Sequence, residues 1–429
     1  MTRALLIMLA GAALLLGGLL WLLRGPAAPV TVAQPAVTAM PPNADLAAQI
    51  ERGAYLARAG DCAACHTERG GAAYAGGRAI PTPFGTFYSP NITPDAQTGL
   101  GGWTADDFWR AMHEGRSRDG SPLYPVFPYT NYTRVTREDS DALFVYLRSL
   151  PPVTQARRDH DLKFPYQIRP LLIGWRLLFF RPGVYEPDAA RSAEWNRGAY
   201  LTQGLGHCSA CHESRNALGA ATRTDQPAGG LVLNWYAPSL QGAAEAGVQH
   251  WSLDDITALL KTGVSDRGSA LGPMAEVVYE SLQHLTDDDL RAMATYLREQ
   301  PVVEAPARTR PPSRDLKTAV ARGERVYADH CASCHGDQGG GRPPAAPALA
   351  GNRAVVMSSV VNPIRVVLYG GYPPGTAGNP RPYGMPPFVQ VLSDQQIADV
   401  LTYTRNSWGH EARAVSSADV ARHRAGPLW

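Results

Sequence analysis

One short motif uses all six cysteines of this 429-residue chain and occurs three times, as Cys62-Ala-Ala-Cys65-His66, Cys208-Ser-Ala-Cys211-His212 and Cys331-Ala-Ser-Cys334-His335. The spacing C-x-x-C-H is the attachment signal for c-type haem. The two thiols add to the porphyrin vinyl groups as thioethers, and the next residue offers its imidazole to the iron. We therefore predict three covalently bound haem c groups, held by the six cysteines, with His66, His212 and His335 as proximal ligands of the iron.

Zinc binding and thiol redox chemistry are the alternatives for paired cysteines. A zinc site would need its fourth ligand and would not demand a histidine after every second cysteine, and a redox dithiol requires no histidine there. The net charge of +2, without a long run of one sign, does not indicate nucleic-acid binding. The sequence also has no nicotinamide-binding fingerprint and no further His/Cys cluster. We therefore predict an electron carrier without a catalytic site of its own.

The first 24 residues predict a membrane anchor or a signal segment. Residues 4–23 are uncharged and almost all aliphatic, and 20 apolar residues can span a bilayer as a helix. A cleaved signal peptide is the alternative, but residues 25–29 form a poor cleavage site, which favours a retained anchor. Residues 25–47, rich in proline and alanine, predict a tether. Because haem c is expected on the outer face of a bacterial inner membrane, we expect the haem domains to face the periplasm.

Three helix signals recur in register with the three motifs. An Arg-Gly pair precedes each motif, and a capped helix closes each repeat, with Thr136, Thr286 and Ser393 as caps. A further helix lies between them, capped by Thr104, Ser252 and Asn362. Such internal repetition indicates tandem units. The order of elements resembles class I cytochrome c domains, in which the first and last helices pack together beside the haem.

The predicted fold is all-α, with three tandem class I cytochrome c-like domains and an N-terminal transmembrane helix. The predicted segments are domain 1 at 48–155, an apolar connector at 156–190, domain 2 at 191–302, a linker at 303–317, domain 3 at 318–410 and a C-terminal tail at 411–429. The connector contains an apolar stretch at 171–180 that is too short to span a membrane. It is expected either to pack between domains or to form a surface helix that meets a membrane or a partner subunit.

Class I domains usually complete the coordination of iron with a methionine from a loop after the middle helix, and a His/Met pair raises the reduction potential. Repeat 2 has Met274 in this loop, and repeat 3 has Met385. These two are the expected distal ligands, with an ordinary core role as the alternative for each.

Repeat 1 departs from this pattern because its loop has Phe127, which cannot bind iron. Met112 corresponds to Leu260 of repeat 2, so we predict a core role for it, with iron ligation as the alternative. Its neighbour His113 is expected to face solvent. Haem 1 is either five-coordinate or bound by a residue that the sequence does not identify.

The chain from about residue 48 resembles the triple-haem cytochrome c subunits of bacterial membrane-bound dehydrogenases that oxidise alcohols, gluconate, aldehydes or N-heterocycles. The residues that carry the resemblance are Asn91-Ile92-Thr93-Pro94-Asp95, Gly101-Gly102-Trp103-Thr104, Ser117-Arg118-Asp119-Gly120, Leu123-Tyr124-Pro125, Phe180-Arg181-Pro182-Gly183, Glu194-Trp195-Asn196-Arg197-Gly198-Ala199-Tyr200-Leu201, Trp235-Tyr236-Ala237-Pro238 and Met385-Pro386-Pro387-Phe388. Alcohol and gluconate dehydrogenase subunits usually have methionine at the position of Phe127. In having phenylalanine in this loop, the chain resembles the subunits that accompany molybdenum-type heterocycle or aldehyde dehydrogenases.

The resemblance implies a membrane-anchored electron-transfer subunit in the periplasm. It would accept electrons from a dehydrogenase subunit with a molybdenum, flavin or quinone cofactor and pass them to ubiquinone or a terminal oxidase. Two alternatives remain open: a peroxidase-like enzyme at an open haem 1, and a free-standing electron shuttle.

Overall fold

The computed structural model describes residues 42–222, 228–242, 245, 247–303, 314–343 and 345–424. From Leu46 onward the chain forms one compact unit. Within it, the sequence pattern of helices recurs three times, and the repeats are named 1 to 3 in chain order.

Repeat 1 and the segment that follows it consist of short helices around one small sheet. The elements are α1 (Pro42–Ala59), α2 (Cys62–His66), β1 (Ala79–Thr82), β2 (Gly85–Tyr88), α3 (Ala105–Glu114), α4 (Tyr129–Tyr132), α5 (Arg137–Ser149), β3 (Asp161–Leu162), a 3₁₀ turn (Arg169–Leu171) and α6 (Leu172–Phe179). The three strands pair antiparallel in the order β1-β2-β3.

Repeat 2 has the same helices and two hairpins. Its elements are α7 (Ala193–Gln203), α8 (Ser209–His212), β4 (Gly230–Val232), β5 (Trp235–Ala237), α9 (Leu253–Thr262), β6 (Val264–Ser265), β7 (Gly268–Ser269), α10 (Pro273–Glu280), a 3₁₀ turn (Leu282–His284) and α11 (Asp287–Arg298). Repeat 3 and the segment after it are helical, with α12 (Arg314–His330), α13 (Ala332–His335), α14 (Arg353–Val356), α15 (Val361–Tyr369), α16 (Asp394–Thr404) and α17 (Ser417–Arg424).

The first and last helices of each repeat cross at a glycine. A Cβ on this glycine would overlap a backbone carbonyl oxygen of the last helix: Ala142 O for Gly53, Ala292 O for Gly198 and Asp399 O for Gly323. Only a residue without a side chain permits so close an approach of two helices.

The arginine before each of these glycines stabilises the crossing of the same two helices. Its guanidinium donates to a buried aspartate of the last helix, with Nε–Oδ distances of 2.7 Å in Arg52–Asp139, Arg197–Asp289 and Arg322–Asp399. The Arg-Gly signal is therefore the part of the sequence that fastens the two ends of each repeat.

The predicted caps are confirmed with one exception. The hydroxyls of Thr104, Thr136, Ser252, Thr286 and Ser393 each accept a hydrogen bond from the backbone N–H three residues later. Asn362, however, lies inside α15, whose N-cap is Val360. The expectation was wrong because the Asn362 side chain is engaged by repeat 2, where it bonds the backbone of Tyr236.

The predicted fold class requires a correction. Its helical repeats are present, but among the described residues no helix is long and apolar enough to cross a membrane. The predicted span at 4–23 lies outside those residues, and the N-terminal transmembrane helix of the predicted fold is not supported. Short antiparallel strands also accompany the helices, so the description all-α was too strict.

Buried apolar residues divide the described part of the chain into two cores. Repeats 1 and 2 share one core, to which Leu56, Leu143, Leu201 and Leu290 contribute. Repeat 3 has its own core around Ile364, Leu368 and Ile397. The first two repeats are thus packed as a pair.

Candidate haem sites

A short helix carries the motif histidine of every repeat. Each ring has its Nδ1 atom within hydrogen-bond distance of a proline carbonyl oxygen: 2.8 Å for His66 and Pro90, 2.6 Å for His212 and Pro238, and 3.1 Å for His335 and Pro347. A carbonyl oxygen only accepts, so Nδ1 carries the proton and Nε2 keeps its lone pair free for iron. Burial lowers the pKa of all three histidines and favours this neutral form.

Four of the motif cysteines are half-buried, and Cys65 and Cys334 are exposed. Desolvation by the surrounding protein raises the pKa of the Cys62 and Cys208 thiols to about 12 and that of the Cys65 and Cys331 thiols to about 11. Zinc ligation and thiol exchange both need a thiolate, which such surroundings disfavour. Thioether bonds to a porphyrin are uncharged. The paired cysteines, together with a neutral histidine whose Nε2 is free, therefore fit covalently bound haem c.

Both predicted distal methionines follow the middle helix of their repeat, Met385 in a loop as predicted and Met274 in a short helix where a loop was expected. Met274 is the second residue of α10 and packs, half-buried, against the core shared by repeats 1 and 2, as Cys62 does. Met385 is held by two backbone hydrogen bonds to Gly371, of 2.9 and 3.1 Å, and Phe388 shortly after it packs on the same core as Cys331. Iron ligation by either methionine remains a prediction.

The distal loop of repeat 1 places an aromatic ring where a methionine was expected. Phe127 packs against the shared core, and its ring centre lies 5.2 Å from that of Tyr132. Met112 is buried in the same core, as the comparison of repeats predicted. His113 differs from the expectation of a solvent-facing side chain, because it is half-buried and stacked on Trp109 at 4.5 Å, with Nδ1 bonded to Thr133 O.

One tyrosine of repeat 1 and one of repeat 2 each form a hydrogen bond with an aspartate of the other repeat. The Tyr55 hydroxyl of repeat 1 donates to Asp289 of repeat 2 at 2.5 Å, and the Tyr200 hydroxyl of repeat 2 donates to Asp139 of repeat 1 at 2.5 Å. Burial and the neighbouring carboxylates raise the pKa of both tyrosines, so both hydroxyls keep their protons. The arginine that closes each repeat and the tyrosine that joins the two repeats therefore meet on the same aspartate.

Sequence reasoning identified these tyrosines only as part of a helix signal. The usable sign was their position three residues after the arginine in repeats 1 and 2. Repeat 3 has Arg325 at that position, and its Tyr327 bonds Gly336 O of the same repeat instead.

Tyr132 connects the attachment motifs of repeats 1 and 2. Its hydroxyl donates to Gly60 O, two residues before Cys62, at 3.2 Å. Its ring meets the edge of His207, the residue before Cys208, at a centre distance of 5.7 Å. Beside it, Asn131 donates to the Ser209 hydroxyl. Burial raises the pKa of the Cys65 thiol, and the nearby Cys211 adds to that rise. The two attachment sites are therefore neighbours.

A second contact across the same pair of repeats holds the helix that bears Met274. Arg78 of repeat 1 bonds both carboxylate oxygens of Glu276, at 2.5 and 2.9 Å, and also Ala64 O inside the first motif, at 2.6 Å. One guanidinium thus links the first attachment helix to the helix that bears Met274.

Repeat 3 meets repeat 2 through a different set of groups. Asn362 accepts from Tyr236 N and donates to Tyr236 O, at 2.8 and 2.7 Å. The buried Arg365 lies over the Trp235 ring at 5.0 Å. A Cβ on Gly272, two residues before Met274, would press on that same ring.

The family model described as cytochrome c matches this chain three times, at residues 50–151, 196–301 and 320–408. The chain belongs to the cytochrome c family. It carries three covalently bound haem c groups, one for each matched domain.

Several relatives match this cytochrome c over most of its length. A nicotinate dehydrogenase subunit of Pseudomonas putida is 44% identical over 388 residues, which are 89% of this chain and 32% of that protein. The cytochrome c subunit of a quinone alcohol dehydrogenase of Gluconacetobacter polyoxogenes is 40% identical over 410 residues, 90% of this chain and 86% of that subunit. The gluconate 2-dehydrogenase cytochrome c subunit of Pantoea cypripedii is 39% identical, covering 88% of this chain and 90% of that subunit.

The chain thus spans about a third of the nicotinate dehydrogenase subunit and most of the other two relatives. The predicted resemblance to dehydrogenase cytochrome c subunits is confirmed.

Proposed function

We propose that this cytochrome c is the triple-haem electron-transfer subunit of a dehydrogenase complex on the periplasmic side of a bacterial inner membrane. The match to alcohol and gluconate dehydrogenase cytochrome c subunits along most of their length supports this role. The domains 48–155, 191–302 and 318–410 each hold one haem in this proposal, with 156–190 and 303–317 as the segments between them.

The ligands of each haem follow from the motif and the distal loop. Haem 1 is assigned to Cys62, Cys65 and His66; haem 2 to Cys208, Cys211, His212 and Met274; and haem 3 to Cys331, Cys334, His335 and Met385. The hydrogen bonds from Nδ1 to Pro90, Pro238 and Pro347 support the three histidines, because they orient Nε2 and fix the tautomer.

One observation carries the proposal: the first two attachment motifs lie on either side of Tyr132. Haem iron supplies one-electron chemistry by alternating between the ferric and ferrous states. The chain holds the first two attachment motifs close together and in a fixed arrangement. Tyr132 bonds Gly60 O and packs on His207, and Asn131 bonds Ser209. A fully packed contact between two attachment sites suits a relay better than a solitary catalytic centre.

The catalytic partner is proposed to be a dehydrogenase subunit with a molybdenum, flavin or quinone cofactor, and the acceptor to be ubiquinone or a terminal oxidase. Two features favour a heterocycle dehydrogenase as the partner. The first is Phe127, since a phenylalanine in this loop is the version that resembles subunits accompanying such enzymes. The second is the 44% identity to the nicotinate dehydrogenase subunit of Pseudomonas putida.

The test is purification from the native membrane in mild detergent, followed by addition of the partner's substrate. A co-purified subunit with one of these cofactors, and reduction of the haem absorption bands by its substrate, are the expected results. A chain that emerges alone and reduces peroxide with turnover would contradict the proposal and make haem 1 an active site.

A further inference from the structure

The segment between repeats 1 and 2 presents apolar side chains to solvent. Phe164 is 78% exposed and Leu178 is 69% exposed, and Ile168, Leu171 and Leu177 are exposed beside them. We call these five residues the apolar surface. A soluble monomer seldom leaves so many large apolar side chains together in water, so a surface of this kind marks a contact.

The segment is not a loose connector, because its opposite side is held by contacts with both repeat 1 and repeat 2. Phe180 is buried with its ring 4.9 Å from that of Tyr129, and Trp175 donates to Leu218 O at 2.9 Å. Arg176 bonds the carbonyl oxygens of Glu114 and Gly115 at the end of α3. Helix α6 therefore has a fixed orientation, with Leu177 and Leu178 turned outward.

The charged residues within the segment that bears the apolar surface all have one sign, although the exposed Asp161 directly precedes it. From Leu162 to Gly183 the chain has four basic residues and no acidic one. Arg176 bonds backbone carbonyls of repeat 1. Lys163, whose amine also donates to Pro83 O at 3.0 Å, and Arg181 are exposed at the two ends of the segment. Leucine and phenylalanine in the centre with cations at the rim is the pattern of a segment that lies in the headgroup region of an anionic bilayer.

We propose that the apolar surface docks this cytochrome c onto an anionic lipid bilayer, with Leu178 and Phe164 inserted and Lys163 and Arg181 at the headgroups. Helix α6 has 8 residues, so it lies on the membrane and does not cross it. This inference rests on the proposed membrane location and adds the surface by which the protein meets the membrane.

Docking in this way orients repeat 1 toward the lipid. The Tyr124 hydroxyl of the distal loop donates to Tyr166 O of the docking segment at 2.9 Å. Tyr129, whose N–H donates to Phe127 O at 2.7 Å, has its ring against that of Phe180 in the same segment. The distal loop of repeat 1 thus lies directly beneath the docking segment. A lipid-soluble electron acceptor would then have access to repeat 1, the domain that has Phe127, from the bilayer.

The test uses the full-length holoprotein with Leu178→Cys labelled by a nitroxide. The six native cysteines are bound to haem, so the introduced thiol is the reactive one. On vesicles of phosphatidylglycerol and phosphatidylethanolamine, collisions of the label with oxygen should increase, and collisions with a water-soluble nickel chelate should decrease. The matched control is Leu231→Cys, at a leucine 71% exposed on β4, whose label should stay aqueous.

Charge variants test the headgroup contact. Lys163→Gln and Arg181→Gln should each lower the lipid-inserted fraction of the Leu178 label about fivefold at limiting lipid, whereas Arg325→Gln on repeat 3 should not. Phosphatidylcholine vesicles should bind the label more weakly than anionic ones.

Two results would overturn the inference: a Leu178 label that stays aqueous on anionic vesicles, or one that is shielded only when the dehydrogenase subunit is added. The second result would make the apolar surface a protein interface. Reduction of the haems by the dehydrogenase in detergent is measured separately, so failure of docking and failure of the proposed function are distinguishable.

Discussion

Repeats 1 and 2 share one helical frame, meaning the crossing of their first and last helices and the oriented motif histidine, but they differ in the distal region that follows the middle helix. Both close with an Arg–Asp pair over a glycine crossing, and both orient the motif histidine with a proline carbonyl. Yet repeat 1 has Phe127 where repeat 2 has Met274. The same helical frame and histidine orientation therefore occur in both repeats, whichever residue stands at the predicted distal position.

The two repeats also depend on each other. Tyr55 and Tyr200 each reach the aspartate of the opposite repeat, whereas repeat 3 has Arg325 at the corresponding position and a core of its own. This position of the first helix therefore carries tyrosine in the two repeats that share a core and arginine in the repeat that has its own.

The largest effect is expected from Gly198→Ala, which breaks the frame of repeat 2. The new methyl group would overlap Ala292 O, a backbone atom that cannot move aside, so we expect a loss of about 3 kcal/mol or more in the free energy of unfolding. Thermal melting followed by circular dichroism measures it. Gly375→Ala, with open space around its Cβ, is the control. A melting curve like that of the wild type would show that the crossing is not close.

Met274→Ala removes what distinguishes repeat 2 from repeat 1. Loss of the thioether should lower the reduction potential of one haem by a sizeable part of the ~0.8 V range that axial ligands control. Spectroelectrochemical titration would resolve that haem from the other two. Met112→Leu, in the buried core, should leave all three potentials unchanged, and a shift in this variant would make Met112 a ligand.

Phe127→Met makes the reverse change and should bring repeat 1 closer to repeat 2. A thioether at this position is expected to raise the potential of haem 1 and to alter its absorption spectrum. The effect should be smaller than that of Met274→Ala, because the loop has to adapt its packing on Tyr132. An unchanged spectrum would mean that residue 127 does not face the iron.

Tyr55→Phe tests the coupling of the two repeats. Removing a hydroxyl that donates to a carboxylate should cost about 2 kcal/mol of unfolding free energy, shared by repeats 1 and 2. Tyr200→Phe should behave alike, and Tyr327→Phe, whose hydroxyl bonds within repeat 3, should leave the melting of repeats 1 and 2 unaltered. Denaturant titration of the three variants measures the difference, and equal effects on all three would refute reciprocal pairing.

The smallest effect concerns pH. Burial opposes ionisation of Asp289, but the bonds from Arg197 and Tyr55 outweigh it and lower the pKa of that carboxyl below its ordinary 3.8. As the pH falls, the Asp289 carboxylate is therefore protonated at a higher pH in the unfolded chain than in the folded one. The stability contributed by Asp289 is fully present above pH 3.8 and is lost as the pH falls through the lowered value. Acid titration of unfolding should show a shallower decline in Asp289→Asn, and parallel curves would contradict this account.

Local chemistry made much of this protein predictable. Haem attachment, the motif histidines and the capped helices depend on residues a few positions apart, so their spacing in the sequence was sufficient to predict them. The methionine loops were also found by position, although ligation itself stays a prediction. Asn362 shows the limit, since it looked like a helix cap and instead bonds Tyr236 of another repeat.

By itself, the sequence determined the number of haems, the family and the repeated helical frame. Only the tertiary structure decided that repeats 1 and 2 share a core, that their tyrosines bond the aspartates of the opposite repeat, and that Leu177 and Leu178 of α6 face outward. The physical reason is distance along the chain. Tyr55 and Asp289 are 234 residues apart, and no local preference of either residue specifies which partner it will meet.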